Sequence, residues 1–167
     1  MDKYSKIRTK IGEFWLACNR YGVTMVYPAT ISAAQFEDLY QREVKVQARS
    51  GRVPAEYIRA LRCAATGRAF SHVPMDLSRL TTFQRRVLEN IRRIPRGQVR
   101  TYSWLAHQSG KPKAFRAAGN AVARNPVPIL IPCHRVVPAS GGIGNYGLGC
   151  ALKRELLISE GVPADKL

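Results

Sequence analysis

Acidic residues are scarce in this sequence of 167 residues: Asp and Glu total 11 against 27 Lys and Arg, for a formal net charge of +16. A chain this basic is expected to meet a polyanion, so nucleic acid is the first candidate partner and an anionic membrane surface the second. The composition, 46% hydrophobic and 23% charged, excludes a disordered chain and is typical of a globular one.

Other absences narrow the class of protein. No apolar run approaches the ~18 residues of a transmembrane helix. Residues 1–5 lack the apolar stretch of a signal peptide. We therefore expect a cytoplasmic protein, associated with the nucleoid if it is prokaryotic, and no membrane partner. No Cys-X-X-Cys pair or zinc-ligand spacing occurs, so we expect free thiols, no metal and no cofactor. The four cysteines are Cys18, Cys63, Cys133 and Cys150.

The first part of the chain favours strands followed by a helix. Residues 7–27 predict three strands separated by turns, and residues 33–47 are ambiguous but compatible with a helix followed by a strand. Apolar periodicity over residues 55–66 predicts a helix that ends at Gly67. These patterns predict a small α+β domain over residues 1–75, followed by a linker around residues 71–78.

Helical periodicity dominates the second part, residues 76–167. One helix is expected from an N-cap at Thr82 to Pro95. Two more, over residues 102–108 and 113–124, are joined by a tight turn and predict a helix-turn-helix. Residues 81–167 carry 14 basic and 4 acidic residues, net +10, against +6 for residues 1–80. The polyanion-binding surface is therefore expected in the second part.

The second helix of this pair has a polar and an apolar face. The polar residues share one face at helical spacing: Lys113, Arg116, Asn120 and Arg124. The apolar residues are expected to face the core: Phe115, Ala118 and Val122. Small residues lie on or beside the polar face: Ala117, Gly119 and Ala121. Such a helix can approach DNA closely, and the alternative is an ordinary solvated basic face.

Residues 132–135, with the sequence PCHR, carry the most unusual local chemistry. A thiolate is a much better nucleophile than a thiol, and it forms beside a base or a positive charge. The proline predicts a bend through which His134 could reach the Cys133 sulfur directly or through a water. A third group should orient the imidazole, and the downstream acids nearest to it are Glu155 and Glu160. The alternative is a buried structural cysteine beside a surface histidine.

The segment from Asn125 to Val136, NPVPILIPCHRV, resembles the active-site signature of the O6-alkylguanine-DNA alkyltransferases. Further matches follow in the family's order: Phe83-Gln84, Ile94-Pro95, Thr101-Tyr102, Arg116-Ala117, Gly144-Asn145-Tyr146 and Glu160-Gly161. The resemblance covers residues 76–162 strongly and the N-terminal part weakly. It implies an α+β fold, in which a small RNase H-like α/β domain (1–75) precedes a mainly helical domain (76–167) with a helix-turn-helix.

The resemblance also implies an activity, that of a methylated-DNA–protein-cysteine S-methyltransferase. A monomer would bind double-stranded DNA through the minor groove and flip an O6-alkylguanine, or an O4-alkylthymine, out of the stack. Cys133 would take the alkyl group irreversibly in a single turnover. A non-catalytic lesion-binding relative would lack Cys133, and an unrelated Cys–His hydrolase would leave the charge of +16 without a reason.

Residue roles are carried over from the same resemblance. The catalytic set is the nucleophile Cys133, the base His134 acting through a water, its orienting partner Glu160, the proton donor Tyr102 and the hinge residue Asn125. The substrate-binding set is Val136, Tyr146, Gly147 and Lys153. The DNA-binding set is Arg116, as the finger that replaces the flipped base, with Ala117, Lys113, Asn120 and Arg124.

The sequence departs from the family pattern at a few positions. Leu88 stands where many members carry Trp, and Cys150 stands where an aliphatic residue is usual, which makes it a second candidate thiol. In members that bind zinc, the N-terminal domain supplies the ligands. The residues available here, Cys18, Cys63 and His72, do not recreate that ligand set.

Overall fold

A four-stranded sheet occupies the N-terminal part of the computed structural model, which describes all of residues 1–167. Its strands are β1 (Asp2–Thr9), β2 (Gly12–Asn19), β3 (Gly22–Pro28) and β4 (Ala48–Ser50), in the spatial order β3-β2-β1-β4. The first three strands form an antiparallel meander, and β4 pairs with β1 in parallel. Two helices accompany the sheet, α1 (Ala33–Val44) and α2 (Ala55–Ala65).

The ambiguous segment 33–47 is mainly helical. Ser32 begins α1 with a capping box, in which its hydroxyl accepts from the Gln35 N–H and the Gln35 side chain accepts from the Ser32 N–H. Lys45 ends the helix in the left-handed conformation, with φ of 62°. The chain then turns into β4 on the edge beside β1.

The segment predicted as a linker is hydrogen-bonded to the sheet. The Val23 N–H donates to the Pro74 carbonyl and the Asp76 N–H donates to the Val23 carbonyl, each at 2.9 Å. Gly22 permits this approach, because a Cβ at that position would lie only 2.3 Å from the Pro74 oxygen. Residues 74–76 are therefore held against β3.

The C-terminal part is mainly helical, with one pair of very short parallel strands. Its elements are α3 (Thr82–Arg92), β5 (Arg100–Thr101), α4 (Tyr102–Gln108), α5 (Phe115–Ala123), β6 (Val136–Val137) and α6 (Cys150–Ser159). Together with the sheet they make a mixed α/β fold, as the α+β prediction required. None of the helices has the length and apolar character needed to cross a membrane.

Two helix starts differ from the predictions. The N-cap of α3 is Thr81 rather than Thr82, because the Thr81 hydroxyl accepts from the Gln84 N–H and the Gln84 side chain completes a capping box. Helix α5 begins at Phe115 rather than Lys113. The Ala114 N–H donates to the Lys111 carbonyl at 2.9 Å, which places Lys113 in the preceding turn.

The buried face of α5 also differs from the prediction. Ala118, Ala121 and Val122 are buried, whereas Phe115 is 52% exposed. Helical side chains point back toward the N-terminus, so the ring of the first residue of α5 extends beyond the packed part of the helix. Ala121, predicted on or beside the polar face, is only 3% exposed.

The largest hydrophobic cluster draws on both predicted domains. It joins Ile7, Leu16 and Leu61 to Leu88 and Ile131, within a set of 28 buried residues. Leu88, at the position of the family's frequent Trp, is fully buried. A second, aromatic cluster lies between the sheet and α1 and is built around Tyr4, Trp15, Phe36 and Tyr40. The predicted boundary between residues 75 and 76 thus divides the sequence but not the main core.

Candidate active site

Cys133 lies at the start of a 3-10 turn, residues 133–135, between the buried run 129–131 and β6. The run begins with strain, because Ile129 has φ of 74°, a value that β-branched residues rarely adopt. The Asn125 side chain bridges this turn, since its Nδ2 donates to the Ile131 carbonyl and its Oδ1 accepts from the Val127 N–H, both at 3.0 Å. Asn125 therefore fixes the path that leads from α5 to the cysteine.

Glu160, at the C-terminal cap of α6, holds the two residues that follow Cys133. Its Oε1 accepts from His134 Nε2 at 2.8 Å, and its two oxygens accept from Arg135 Nη2 at 2.8 Å and Nε at 2.9 Å. Arg135 also donates to the Ile94 carbonyl at 2.7 Å. Burial favours the neutral acid, but the hydrogen bonds and charges of His134 and Arg135 outweigh it and lower the pKa of Glu160. Glu160 is thus an ionised carboxylate.

This carboxylate decides which nitrogen of His134 is free. Because Nε2 donates its proton to Glu160, the neutral imidazole carries a lone pair on Nδ1. Nδ1 is buried and has no hydrogen-bond partner. The His134 side chain itself is 1% exposed, so this nitrogen is a buried proton acceptor without a protein partner, on the residue that follows Cys133.

The Cys133 thiol is protonated in this environment. Burial is the largest influence and raises its pKa, while the Asn125 side chain, the Lys153 ammonium and the Tyr146 hydroxyl offset part of the rise. A thiol is a weak nucleophile, so the proton must leave when the sulfur reacts. The arrangement therefore suits a nucleophile that is activated by a neighbouring base at the moment of reaction.

Lys153 and Tyr146 complete the wall around the sulfur. Lys153 Nζ is buried and donates to the carbonyls of Val136 at 2.7 Å and Asn145 at 3.2 Å, which ties β6 to the following loop. Burial lowers the pKa of Lys153. The Tyr146 ring lies edge-on to His134 with 6.3 Å between centroids, and burial raises the pKa of its hydroxyl.

Tyr102 is half-buried at the start of α4, close to the main chain of α5. A Cβ added at Gly119 would be 3.8 Å from its ring. Burial, followed by the charge of a Cys133 thiolate, raises the pKa of Tyr102, so the phenol keeps its proton. Gly147, by contrast, is exposed on the glycine-rich loop 141–149.

Apart from Gly147 on the loop 141–149, the predicted residues fall into two groups. The buried or half-buried residues surround the thiol: Tyr102, Asn125, Cys133, His134, Val136, Tyr146, Lys153 and Glu160. The exposed residues lie on α5 and at its two ends: Lys113, Arg116, Ala117, Asn120 and Arg124. Asn125 follows the end of α5 directly and joins the two groups.

Arg135 is the positive charge of the PCHR segment, and its guanidinium donates to the Glu160 carboxylate. Glu155, the other acid considered, is exposed. A signal for a basic surface was also overlooked, because no acidic residue occurs between Glu89 and Glu155.

The other three cysteines are free thiols, with Cys18 buried, Cys63 half-buried and Cys150 exposed. Cys150 is exposed at the start of α6, where its sulfur is 3.3 Å from the Gly144 carbonyl oxygen. No three His, Cys, Asp or Glu residues in the structure are grouped so that they could hold a metal ion.

Fold and site together define a class: mixed α/β proteins in which a buried cysteine precedes a hydrogen-bonded His–Glu pair and follows an exposed basic helix. Residues 82–162 match the family model for the DNA-binding domain of 6-O-methylguanine DNA methyltransferase. The crystal structure of the Mycobacterium tuberculosis O6-methylguanine methyltransferase superposes on this chain with a TM-score of 0.78 at 32% identity. The superposition covers 100% of this chain and 95% of the mycobacterial chain. The chain belongs to the O6-methylguanine-DNA methyltransferase family.

Two further comparisons add detail. A structure of Mycobacterium tuberculosis OGT in complex with DNA superposes with the same TM-score of 0.78 and the same identity of 32%. That superposition covers 98% of this chain and 96% of the OGT chain. The human methylated-DNA–protein-cysteine methyltransferase is 52% identical over 81 residues, which are 48% of this chain and 39% of the human protein. The alignment thus spans well under half of that curated relative.

Proposed function

We propose that this protein repairs double-stranded DNA by transferring the alkyl group of an O6-alkylguanine, or of an O4-alkylthymine, irreversibly to Cys133. One observation carries the proposal: a buried thiol lies beside a histidine whose Nε2 is held by an ionised glutamate and whose Nδ1 is a free acceptor. The names of the relatives, methylated-DNA–protein-cysteine methyltransferases, agree with this chemistry.

In the proposed reaction, Nδ1 of His134 takes the thiol proton through a water molecule, and Glu160 stabilises the resulting imidazolium. The sulfur attacks the alkyl carbon, so that a carbon–sulfur bond forms as the bond to O6 breaks. Tyr102 donates a proton to the guanine ring, which leaves as a neutral base. The imidazolium proton of His134 then passes to the Tyr102 phenolate, so that both side chains return to their neutral forms. A thioether resists hydrolysis, so each molecule reacts once.

The pocket for the flipped base is proposed between β6 and the loop 141–149. Val136 and Gly147 would contact the base through their main chains, Tyr146 would line the pocket, and Lys153 would brace it from the buried side. Support comes from the Lys153 hydrogen bonds, which connect β6 to Asn145 in that loop.

The proposed DNA interface is α5 with the turn before it, acting with α4 as a helix-turn-helix in the minor groove. Arg116 would enter the stack in place of the flipped base, Ala117 would allow close approach, and Lys113, Asn120 and Arg124 would contact the backbone. All five are exposed, in a stretch of sequence without acidic residues.

We further propose that the protein acts as a monomer in the cytoplasm, or at the nucleoid if it is prokaryotic. We also propose that residues 1–75 form an RNase H-like domain.

The decisive experiment measures the intact mass of the protein after incubation with a duplex containing O6-methylguanine. A gain of about 14 Da, one methylene, is expected on the peptide that carries Cys133. The Cys150→Ser variant should gain the same mass and the Cys133→Ser variant none. An unmodified Cys133 in folded, DNA-bound protein would contradict the proposal, as would an adduct on Cys150 alone.

A further inference from the structure

Phe115 is the one exposed phenylalanine of this chain, although Tyr21 and Tyr27 in the N-terminal part are exposed rings as well. It is 52% exposed, and no other large apolar side chain between Val46 and Ile158 is exposed. The remaining phenylalanines are buried or half-buried: Phe14, Phe36, Phe70 and Phe83. A single exposed ring is ordinary on a protein surface, so the significance of Phe115 depends on the residues around it.

Packing does not require this ring. Helix α5 is seated by Ala118, Ala121 and Val122, all of them buried. As the first residue of α5, Phe115 directs its ring away from this contact and beyond the start of the helix. An alanine in its place would leave the core unchanged.

The surroundings of Phe115 favour nucleic acid over protein as the partner. Arg116 and Ala117 follow it on the helix, and Lys111 and Lys113 precede it in the turn, all of them exposed. The surrounding sequence contains no acidic residue from position 90 to position 154. An aromatic face surrounded by cations is suited to a polymer that presents both phosphates and flat bases.

We infer that Phe115 is a second DNA wedge that acts beside Arg116. The inference rests on the proposed function: when α5 lies in the minor groove, the Phe115 ring stacks on a base or sugar next to the flipped nucleotide. Proteins that bind this groove often insert apolar side chains at a base step and so stabilise an unstacked duplex. Arg116 fills the space of the lost base, and Phe115 holds the adjoining step open.

The test compares Phe115→Ala with the wild-type protein on a duplex containing O6-methylguanine and on free O6-methylguanine base. Loss of one stacking contact should weaken duplex binding between about fivefold and a hundredfold. Alkyl transfer from subsaturating duplex should slow to a similar extent, while transfer from the free base stays within about twofold. The slope of log affinity against log salt should not change, because no phosphate contact is lost.

Two further variants separate stacking from general surface effects. Phe115→Trp should bind the duplex as tightly as the wild type, since it keeps an aromatic face at this position. Ile158→Ala, which removes an exposed apolar side chain from α6, should behave as the wild type. Thermal unfolding of each variant verifies that the fold is intact.

The outcomes distinguish this inference from the function it rests on. If the wild-type protein acquires no methyl group on Cys133, or does not bind the duplex, both fail. If the wild-type protein reacts but Phe115→Ala binds and reacts equally well, the wedge alone is wrong. A Phe115→Ala variant that changes the oligomeric state and keeps its DNA affinity would also overturn the wedge and indicate a protein contact.

Discussion

Glu160 shows how much a single buried residue determines in this fold. Its carboxylate accepts hydrogen bonds from His134 and Arg135, and so it selects the tautomer that leaves His134 Nδ1 free. It is also the only acid with a salt bridge to Arg135. Chemistry and stability therefore depend on the same side chain, through different partners.

Replacing Glu160 with Gln should affect both properties. We expect alkyl transfer to Cys133 to slow by about tenfold to a hundredfold, as for other partners that orient a reactive group. Because the pKa of Glu160 is lowered by folding, its contribution to stability is complete above pH 4.5 and is lost as the pH falls below that value. Single-turnover mass measurements and urea unfolding at several pH values check the two effects.

For this variant, the free energy of unfolding should depend less on pH in the acidic range than for the wild type. A Glu155→Gln variant is the matched control, since Glu155 lies exposed on the same helix. Equal rates for the Glu160→Gln and Glu155→Gln variants would contradict the orienting role of Glu160.

At the scale of elements, the N-cap of helix α3 is Thr81, one residue before the Thr82 that the sequence predicted. Thr81 and Thr82 are adjacent and both exposed, but only Thr81 has the extended backbone and the reciprocal hydrogen bonds of a capping box with Gln84. Sequence periodicity cannot separate two neighbouring threonines, because either could precede the first apolar residue.

Thr81→Ala should therefore reduce the free energy of unfolding by about 1 kcal/mol, and Thr82→Ala by less than about 0.5 kcal/mol. Urea unfolding of the two variants measures the difference. The reverse order of stability would place the cap at Thr82.

At the scale of the whole molecule, the shared core has a thermodynamic consequence. The main hydrophobic cluster joins strands of the N-terminal part to helices of the C-terminal part, and residues 74–76 are hydrogen-bonded to β3. Neither part can unfold without exposing apolar surface of the other, so the chain should unfold as one cooperative unit.

The two tryptophans provide the probes, because Trp15 lies in β2 and Trp104 lies in α4. We expect Trp15→Phe and Trp104→Phe, each of which leaves a single reporter, to show the same unfolding midpoint by fluorescence as by circular dichroism. Fluorescence midpoints that depart from the circular dichroism midpoint of the same variant would show two independently stable domains.

Much of the fold and site could be predicted from local pattern. The strand–turn–strand at the N-terminus, the helix over residues 55–65 and the helix over residues 102–108 agree with the structure, since turn residues and periodicity act within a few positions. The start of α5 and the exposure of Phe115 differ, because both depend on how the helix is seated. The roles assigned to the residues around Cys133 stay predictions, although the structure brings most of those residues together.

The amino-acid sequence by itself determined the basic charge and most of the elements, because these follow from composition and from neighbours along the chain. Neighbours along the chain left both Glu155 and Glu160 as candidate partners of His134, and the family resemblance pointed to Glu160. Only the tertiary structure decided that Glu160 lies against His134, that Arg135 binds the same carboxylate, and that the main core unites both parts of the chain. Each of these depends on contacts between residues distant in sequence. Such contacts form only when α6 and the sheet pack against the buried run that ends at Cys133.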